Sequence, residues 1–458
     1  MTALIALGSR RELFVDHFLI EHLDGAALHL HSPIRREAVY QVSQPWDNAC
    51  TGCYNLTQDG DRILLYYRGF YPIGADYADG AASQTTNLAV STDGIHFTQP
   101  ELGLVEFNGT RKNNVLIQGH ESHNFCVFLD ANPAADPSQR FKAVGGTGQS
   151  NLHGFASPDG LHWTPVKEGP LDVTGAFDSV NVALWDDHIG RYRLFSRYFD
   201  TTGARVRAIQ SCTSEDFIHW TPPQPHQYAD DVPLEHFYTN ATTPCPGAEH
   251  ILLSFPMRFL PERELDIAAM DYPGNGLSDA VFMSSRDGVH WDRPFMEAWV
   301  RPGTDQRNWS HRSCTPAPGL VQTADDEWSM YLSENYGWST NRLRRVVVRP
   351  HGFASVRAGY RGGELLTRPL LLEGAALRLN YATSAAGSLR VELQDESGQP
   401  LPKYALEEMD PIYGDQLDAP VAWKAGGDLS GLKGRPVRLR VVLQDADLFA
   451  VRTLLSGR

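Results

Sequence analysis

Three carboxylates hold matching places along the chain. Asp47 in Pro45-Trp46-Asp47-Asn48, Asp178 in Ala176-Phe177-Asp178-Ser179 and Glu235 in Leu234-Glu235-His236-Phe237 each stand a similar short distance ahead of an apolar run, near Ile63, Tyr192 and Ile251 respectively. Each also has an aromatic neighbour: Trp46, Phe177 or Phe237. Breaking a glycosidic bond takes one acid to protonate the leaving oxygen and one carboxylate that attacks carbon or activates water. A third group that positions the sugar helps to set the acid's pKa. Carboxylates held within a few ångströms raise the pKa of one member, as a general acid at neutral pH requires. Two Asp and one Glu on converging strands would supply all three roles.

Further polar groups are expected at the same place. Arg68, Arg197 and Arg258 each follow an apolar run, His123-Asn124 begins another hairpin, and Glu334 closes a strand that Trp309 precedes. Asn48, Asn124 and the arginines would hydrogen-bond hydroxyls, Trp46 or Trp309 would stack on a sugar face, and His236 would act beside Glu235.

Something must bring these residues together, and an internal repeat shows what. Ser91-Thr-Asp93-Gly94-Ile-His96-Phe97, Ser157-Pro-Asp159-Gly160-Leu-His162-Trp163, Ser214-Glu-Asp216-Phe-Ile-His219-Trp220 and Ser285-Arg-Asp287-Gly288-Val-His290-Trp291 share Ser, Asp, His and an aromatic at fixed offsets. A degenerate fifth copy is Pro350-His351-Gly352-Phe353. Such a period reads as repeated β-sheets that bury their faces only against one another. The Asp-Gly pair makes a tight turn, with the Asp side chain closing on backbone amides and Gly accepting a positive φ. These residues are therefore structural, and the aromatic is expected between neighbouring sheets.

Runs such as Ile63–Arg68, Arg140–Val144, Tyr192–Phe195, Ile251–Phe255 and Ser329–Leu332 read as inner strands of five blades. After about Gly362, Ala376–Tyr381, Ser388–Leu393 and Val437–Leu443 alternate apolar and polar residues, as half-exposed antiparallel strands do. The expected fold is all-β: a five-bladed β-propeller over 1–361, followed by a C-terminal β-sandwich over 362–458.

Composition narrows the partners. Forty Lys and Arg against 55 Asp and Glu give a formal charge of −15. Nucleic acid or an anionic membrane would need a basic face, so neither is expected. The six cysteines lack regular spacing and read as reduced thiols of a cytoplasmic protein, with no secretory signal at the start. Cys50 and Cys53 form a lone C-x-x-C, and none of the 17 histidines has ligand spacing, so no metal or other cofactor is expected. The partner is an oligosaccharide or small glycoside; an oligomer remains open.

The Ser-x-Asp-x-x-x-aromatic turn, the blade count, the Asp/Asp/Glu set and the C-terminal sandwich together resemble the propeller glycosidases. These are the family 32 fructofuranosidases and their relatives in families 43 and 68. The resemblance implies Asp47 as nucleophile or base, Asp178 as the positioning acid or transition-state stabiliser, Glu235 as general acid, and a fructofuranoside as the first substrate expected. An arabinofuranoside or xyloside comes next. Departures set the chain apart. Gln44-Pro-Trp-Asp-Asn-Ala49 replaces the family's first motif, Phe177-Asp178-Ser179 its Arg-Asp-Pro, and Glu235-His236 its Glu-Cys. A non-catalytic sugar-binding propeller is the rival of a different class. A glycoside phosphorylase, which would need a basic phosphate pocket near the acid, is a third reading.

Overall fold

A computed structural model describes residues 4–71, 83–148, 151–264 and 269–455. Among them the regular structure is β-strand with a few single-turn 3-10 helices, and no helix is long and apolar enough to cross a membrane. The chain forms two compact units, one of residues 33–245 and 249–348, the other of 1–32, 246–248 and 349–458. The boundary therefore falls at 348/349 rather than after 361. The first 32 residues also belong with the C-terminal unit, because Ala26–Leu30 pairs with Ala354–Ala358 and Ile20–Asp24 with Gly363–Thr367.

The larger unit is a succession of antiparallel sheets. Gly52–Asp59, Arg62–Arg68, Thr85–Ser91 and Val115–Gln118 make the first. The second runs from Cys126–Leu129 to Thr164–Pro165, the third from Val182–Asp186 to Gln224–Pro225. The next stretch holds a four-stranded and a three-stranded sheet, which divide around Phe255-Pro256. The last sheet takes Thr315–Pro316, Val321–Ala324, Glu327–Glu334 and Arg342–Val348, and finishes with Ile34–Gln41 from the start of the unit. The apolar runs legible in the sequence are the second strands of their sheets. The first strands, poorer in apolar residues, face one another: Asn55 Nδ2 donates to Phe125 O, and Thr57 Oγ1 to Val127 O.

The repeated turns are built alike four times. Asp93 Oδ1 accepts from the amides of Ile95 and His96, both at 2.8 Å, Ser91 Oγ accepts from Gly94 N at 2.9 Å, and His96 Nδ1 meets Asp93 Oδ2 at 2.7 Å. Gly94, Gly160 and Gly288 have φ of 71°, 78° and 76°, and Phe217 takes the same place at 67°. The turns also join sheets. Tyr331 OH donates to Gly94 O and Tyr66 OH to Gly160 O, each from the preceding sheet. Phe97 packs on Tyr331, Trp163 on Tyr66 and Trp291 on Phe195, again one sheet back. In the third copy Phe217 itself reaches back to Phe128. The fifth copy does not follow this plan. His351 and Phe353 lie in the other unit, His351 Nε2 meets Pro246 O at 2.8 Å, and the last sheet is completed by the N-terminal strand instead.

The smaller unit is one ten-stranded sheet system around a single apolar core that includes Leu377, Leu389, Val391, Trp423 and Leu443. The segments expected as separate strands near 380 and 390 form one strand, Ala376–Gln394, paired along Pro436–Leu454 with a register break between Thr383 and Ser388. Gly387 sits at that break without a turn. A Cβ there would come 2.4 Å from Asp445 O, so the close backbone approach needs glycine.

Candidate functional site

At one end of the larger unit the starts of the first strands converge on a cleft. Its walls come from five of the sheets and the loops that lead into them. Cys53 and Arg68 belong to the first, Asn124 to the second, and Asp178 with Ser179 to the third. Tyr238 and Met257 follow from the fourth stretch, and Arg312, Thr315 and Tyr336 from the last sheet or the loops beside it. Hydrogen bonds pass from sheet to sheet around the opening. Arg68 Nη1 donates to Asn124 Oδ1 at 3.0 Å, Asn124 Nδ2 to Ser179 O at 3.0 Å, and Ser179 Oγ to Tyr238 O at 2.7 Å. Arg312 Nη2 then donates to Tyr238 OH at 2.9 Å, Arg68 Nη2 reaches Tyr336 OH at 3.0 Å, and the Arg312 guanidinium carbon stands 5.5 Å from the Tyr336 ring centroid.

The backbone here is strained. Of nine described non-glycine residues with positive φ, Cys53, Asn124 and Arg312 line the cleft, and Cys314 and Asn335 adjoin it in sequence. Each such residue costs on the order of 1–3 kcal/mol, and sites that bind or react are where that strain tends to persist. Polar groups tie these residues down: Asn124 Oδ1 accepts from Cys53 Sγ at 2.8 Å as well as from Arg68.

Asp178 is the one carboxylate among the described lining residues. Its side chain is 44% exposed, and His123 Nε2 lies 2.9 Å from its Oδ1. Burial keeps the His123 imidazole below its ordinary range, against the pull of Asp178. Its Nε2 faces Asp178 Oδ1 and its Nδ1 faces Gln84 Oε1 at 2.5 Å, so an acceptor stands at each ring nitrogen. Desolvation pushes the Asp178 carboxyl up, but the His123 hydrogen bond and the charges of Arg197 and Arg312 outweigh it and hold the group well below the usual carboxylate range. Asp178 is therefore ionised at neutral pH, suited to act as nucleophile, base or charge stabiliser rather than as proton donor.

The other two carboxylates are not brought to the cleft. Asp47 is 9% exposed, against the Tyr40 hydroxyl, which donates to it, and near Tyr67 and Tyr54. Burial pushes its carboxyl up to about 6 against that hydrogen bond, and Oδ1 has no partner. Glu235 is held by Arg258 at 3.1 Å and Arg293 at 2.7 Å, and Arg258 also grips Asp279. Neighbours of opposite charge or hydrogen-bonding power thus draw both side chains off the lining. Glu334 is buried among Arg35, Arg342 and Arg344. Trp46 donates to Asn114 Oδ1 at 2.6 Å beside a separate hollow, Trp309 donates to Gly303 O at 2.8 Å, and His236 Nδ1 meets Arg207 N at 3.3 Å. Asn48 shapes a turn, donating to Tyr71 O and accepting from Cys50 N. Arg68 and Asn124 line the cleft, His123 Nε2 lies 2.9 Å from Asp178 Oδ1, and Arg197 lies over the Tyr238 ring at 4.8 Å.

Tyr238, Arg312 and Tyr336 were not singled out from sequence. They lie one to three residues from residues that were weighed, or, for Arg312, in the loop between Trp309 and the strand at Thr315. Their inward direction follows from strand alternation and from the positive φ at Arg312, which no residue type announces. Cys50 is buried, whereas Cys53 lines the cleft with its thiol pushed up by burial. No group of three or more metal-ligating side chains occurs among the described residues.

No protein-family model matches the chain, and no curated protein is similar to it. Solved structures similar to it include one from the GH130 family of mannoside phosphorylases, which contains glycoside hydrolases of β-1,2-mannosidic linkages (15% identity, TM-score 0.46, 70% of this chain and 95% of that one). An N-acetylgalactosamine deacetylase from F. plautii in complex with blood group B trisaccharide shares 12% identity at a TM-score of 0.43, over 71% and 96% of the two chains. A glycosyl hydrolase from Bacteroides ovatus shares 16% identity at a TM-score of 0.44, over 70% and 95%.

Proposed function

We propose that the larger unit is a glycoside-cleaving enzyme whose reaction takes place in this cleft, with Asp178 as the carboxylate that faces the anomeric carbon. The observation that carries the reading is Asp178 itself. It is an ionised carboxylate at a concave, strained site lined from five of the sheets and their loops, and hydrogen-bonded by His123. An oxocarbenium-like transition state carries positive charge, which a fixed carboxylate stabilises or captures. Asn124 and the Tyr238 and Tyr336 hydroxyls are placed to hold sugar hydroxyls. Because Asp47 and Glu235 lie off the lining, the reading rests on Asp178 as the carboxylate that stabilises or captures the anomeric carbon, and the leaving oxygen takes its proton from water at the mouth of the cleft. A fructofuranoside, and then an arabinofuranoside or xyloside, are the neutral substrates to try first.

The test is a panel of aryl glycosides and fructosyl oligosaccharides, with the anomeric product followed by NMR. Asp178→Asn should abolish turnover while Asp47→Asn and Glu235→Gln retain it. Full activity of Asp178→Asn on a substrate that the parent cleaves would refute the assignment. Retained sugar binding with no cleavage by the parent would favour a sugar-binding module.

A further inference from the structure

The charges around the cleft do not balance. Arg68 is 7% exposed and Arg197 5%, yet each has an Nε without a partner. Arg68 bonds only neutral groups: Asn124 Oδ1, Cys50 O and Tyr336 OH. Arg197, Arg207 and Arg312 surround the Tyr238 ring, with guanidinium carbons 4.8, 5.0 and 5.3 Å from its centroid. Elsewhere the buried arginines meet carboxylates, as Arg345 meets Glu327 and Glu37, and Arg193 meets Asp186. Among the described residues no carboxylate forms an ion pair with Arg68, Arg197, Arg207 or Arg312, and Asp178 is the one acid on the lining. Taking several guanidiniums out of water costs more than cation–π contacts with two or three tyrosines return. An oxyanion bound beside these guanidiniums would offset that cost.

We infer that the guanidinium side of the cleft binds an oxyanion that enters with the sugar, either the carboxylate of an acidic sugar or a phosphate. The inference rests on the cleft being the sugar site proposed above and names the substrate class it takes. Arg312 lines the cleft and donates to the protein from Nη2, to Tyr238 OH, so its planar guanidinium keeps N–H groups that suit carboxylate and phosphate oxygens. Arg68, with Nη1 and Nη2 engaged by Asn124, Cys50 and Tyr336, adds charge. Arg197 and Arg207 add charge from behind Tyr238. The size agrees. The free space at the centre is about 60 Å³. At roughly 10–15 Å³ per water, that holds about five waters. A carboxylate or phosphate fits there, while a sugar ring would stand outward at the open mouth. The charges of Arg197 and Arg312, which hold Asp178 ionised, would also offset its repulsion of a bound anion.

The experiment is isothermal titration calorimetry on the full chain at fixed ionic strength, with inorganic phosphate, glucuronate and glucose as probes. Phosphate or glucuronate should bind at least tenfold more tightly than glucose. Arg312→Gln should weaken that binding about tenfold or more, and Arg312→Lys, which keeps the charge and loses the fork, by less. If Arg312→Gln fails to fold, Arg312→Lys and the anion-over-glucose ratio of the parent still decide. Turnover that requires added phosphate identifies phosphate as the occupant. Cleavage of a uronide in preference to the neutral glycoside identifies the sugar's own carboxylate. No preference for either anion over glucose, or anion affinity unchanged in the folded Arg312 variants, overturns the inference. Tight anion binding with no glycoside cleaved leaves it standing and removes the proposed activity. Cleavage of neutral glycosides that Arg312→Gln leaves intact does the reverse.

Discussion

Asp47→Asn is the substitution that best separates a structural carboxylate from a reactive one. Asp47 is 9% exposed, one of its oxygens has no partner, and burial raises its pKa from 3.8 to about 6. A carboxyl whose folded pKa exceeds its unfolded value favours the folded state only while protonated. That contribution is complete below pH 3.8 and is lost as the pH rises through 6. A shift of about two units, at 1.36 kcal/mol per unit, makes the ionised group a liability of about 3 kcal/mol at neutral pH. Asparagine keeps the shape and an oxygen that accepts from Tyr40, and it has no charge to desolvate. The variant should therefore gain up to about 3 kcal/mol at pH 7 and show almost no gain near pH 4. Denaturant unfolding of parent and variant at half-unit steps from pH 4 to 8 would measure the difference. A pH-independent difference, or a variant less stable than the parent at pH 7, would refute this account of the Tyr40–Asp47 contact.

Other outcomes follow from the same geometry. Asp178→Asn should lower kcat/KM at least a thousandfold, measured on whichever glycoside the screen identifies, and should also lower the thermal midpoint at neutral pH, because a carboxyl held below its ordinary range stabilises the fold when ionised. His123→Ala removes the donor that holds Asp178 ionised, so the acidic limb of the pH–rate profile should move to higher pH; an unmoved limb would deny His123 its positioning role. Gly160→Ala puts a Cβ at a φ of 78° and 2.5 Å from Tyr66 OH, which should cost about 2–3 kcal/mol in strain and a lost intersheet hydrogen bond. Gly60→Ala, at a φ of 59° with nothing within 4 Å, should cost only about 1 kcal/mol in the same unfolding assay.

The repeated turns were legible because their physics is local. In Ser91–Phe97 the Asp acceptor, its amide donors, the Ser hydroxyl and the His partner all lie within six residues, so residue type and spacing specify the geometry. The same locality misled at Pro350–Phe353. That segment keeps a positive φ, at His351, but pairing with strands at the start of the chain places it in the other unit. Long-range pairing has no local signature.

From the sequence alone came the all-β class, the recurring turn, the aromatic that packs one sheet back, and the neighbourhood of the site through Asp178, Asn124, Arg68 and His123. Each of these depends on apolar alternation or on bonds between near neighbours along the chain. Only the tertiary structure decided which carboxylate faces the cleft. Glu235 meets arginines 23 and 58 residues away, and the Tyr40 hydroxyl faces Tyr67 from across a strand as well as Asp47. A side chain's direction is set by the partner that offsets its desolvation, and such partners are chosen in space, across sheets that the sequence does not place side by side.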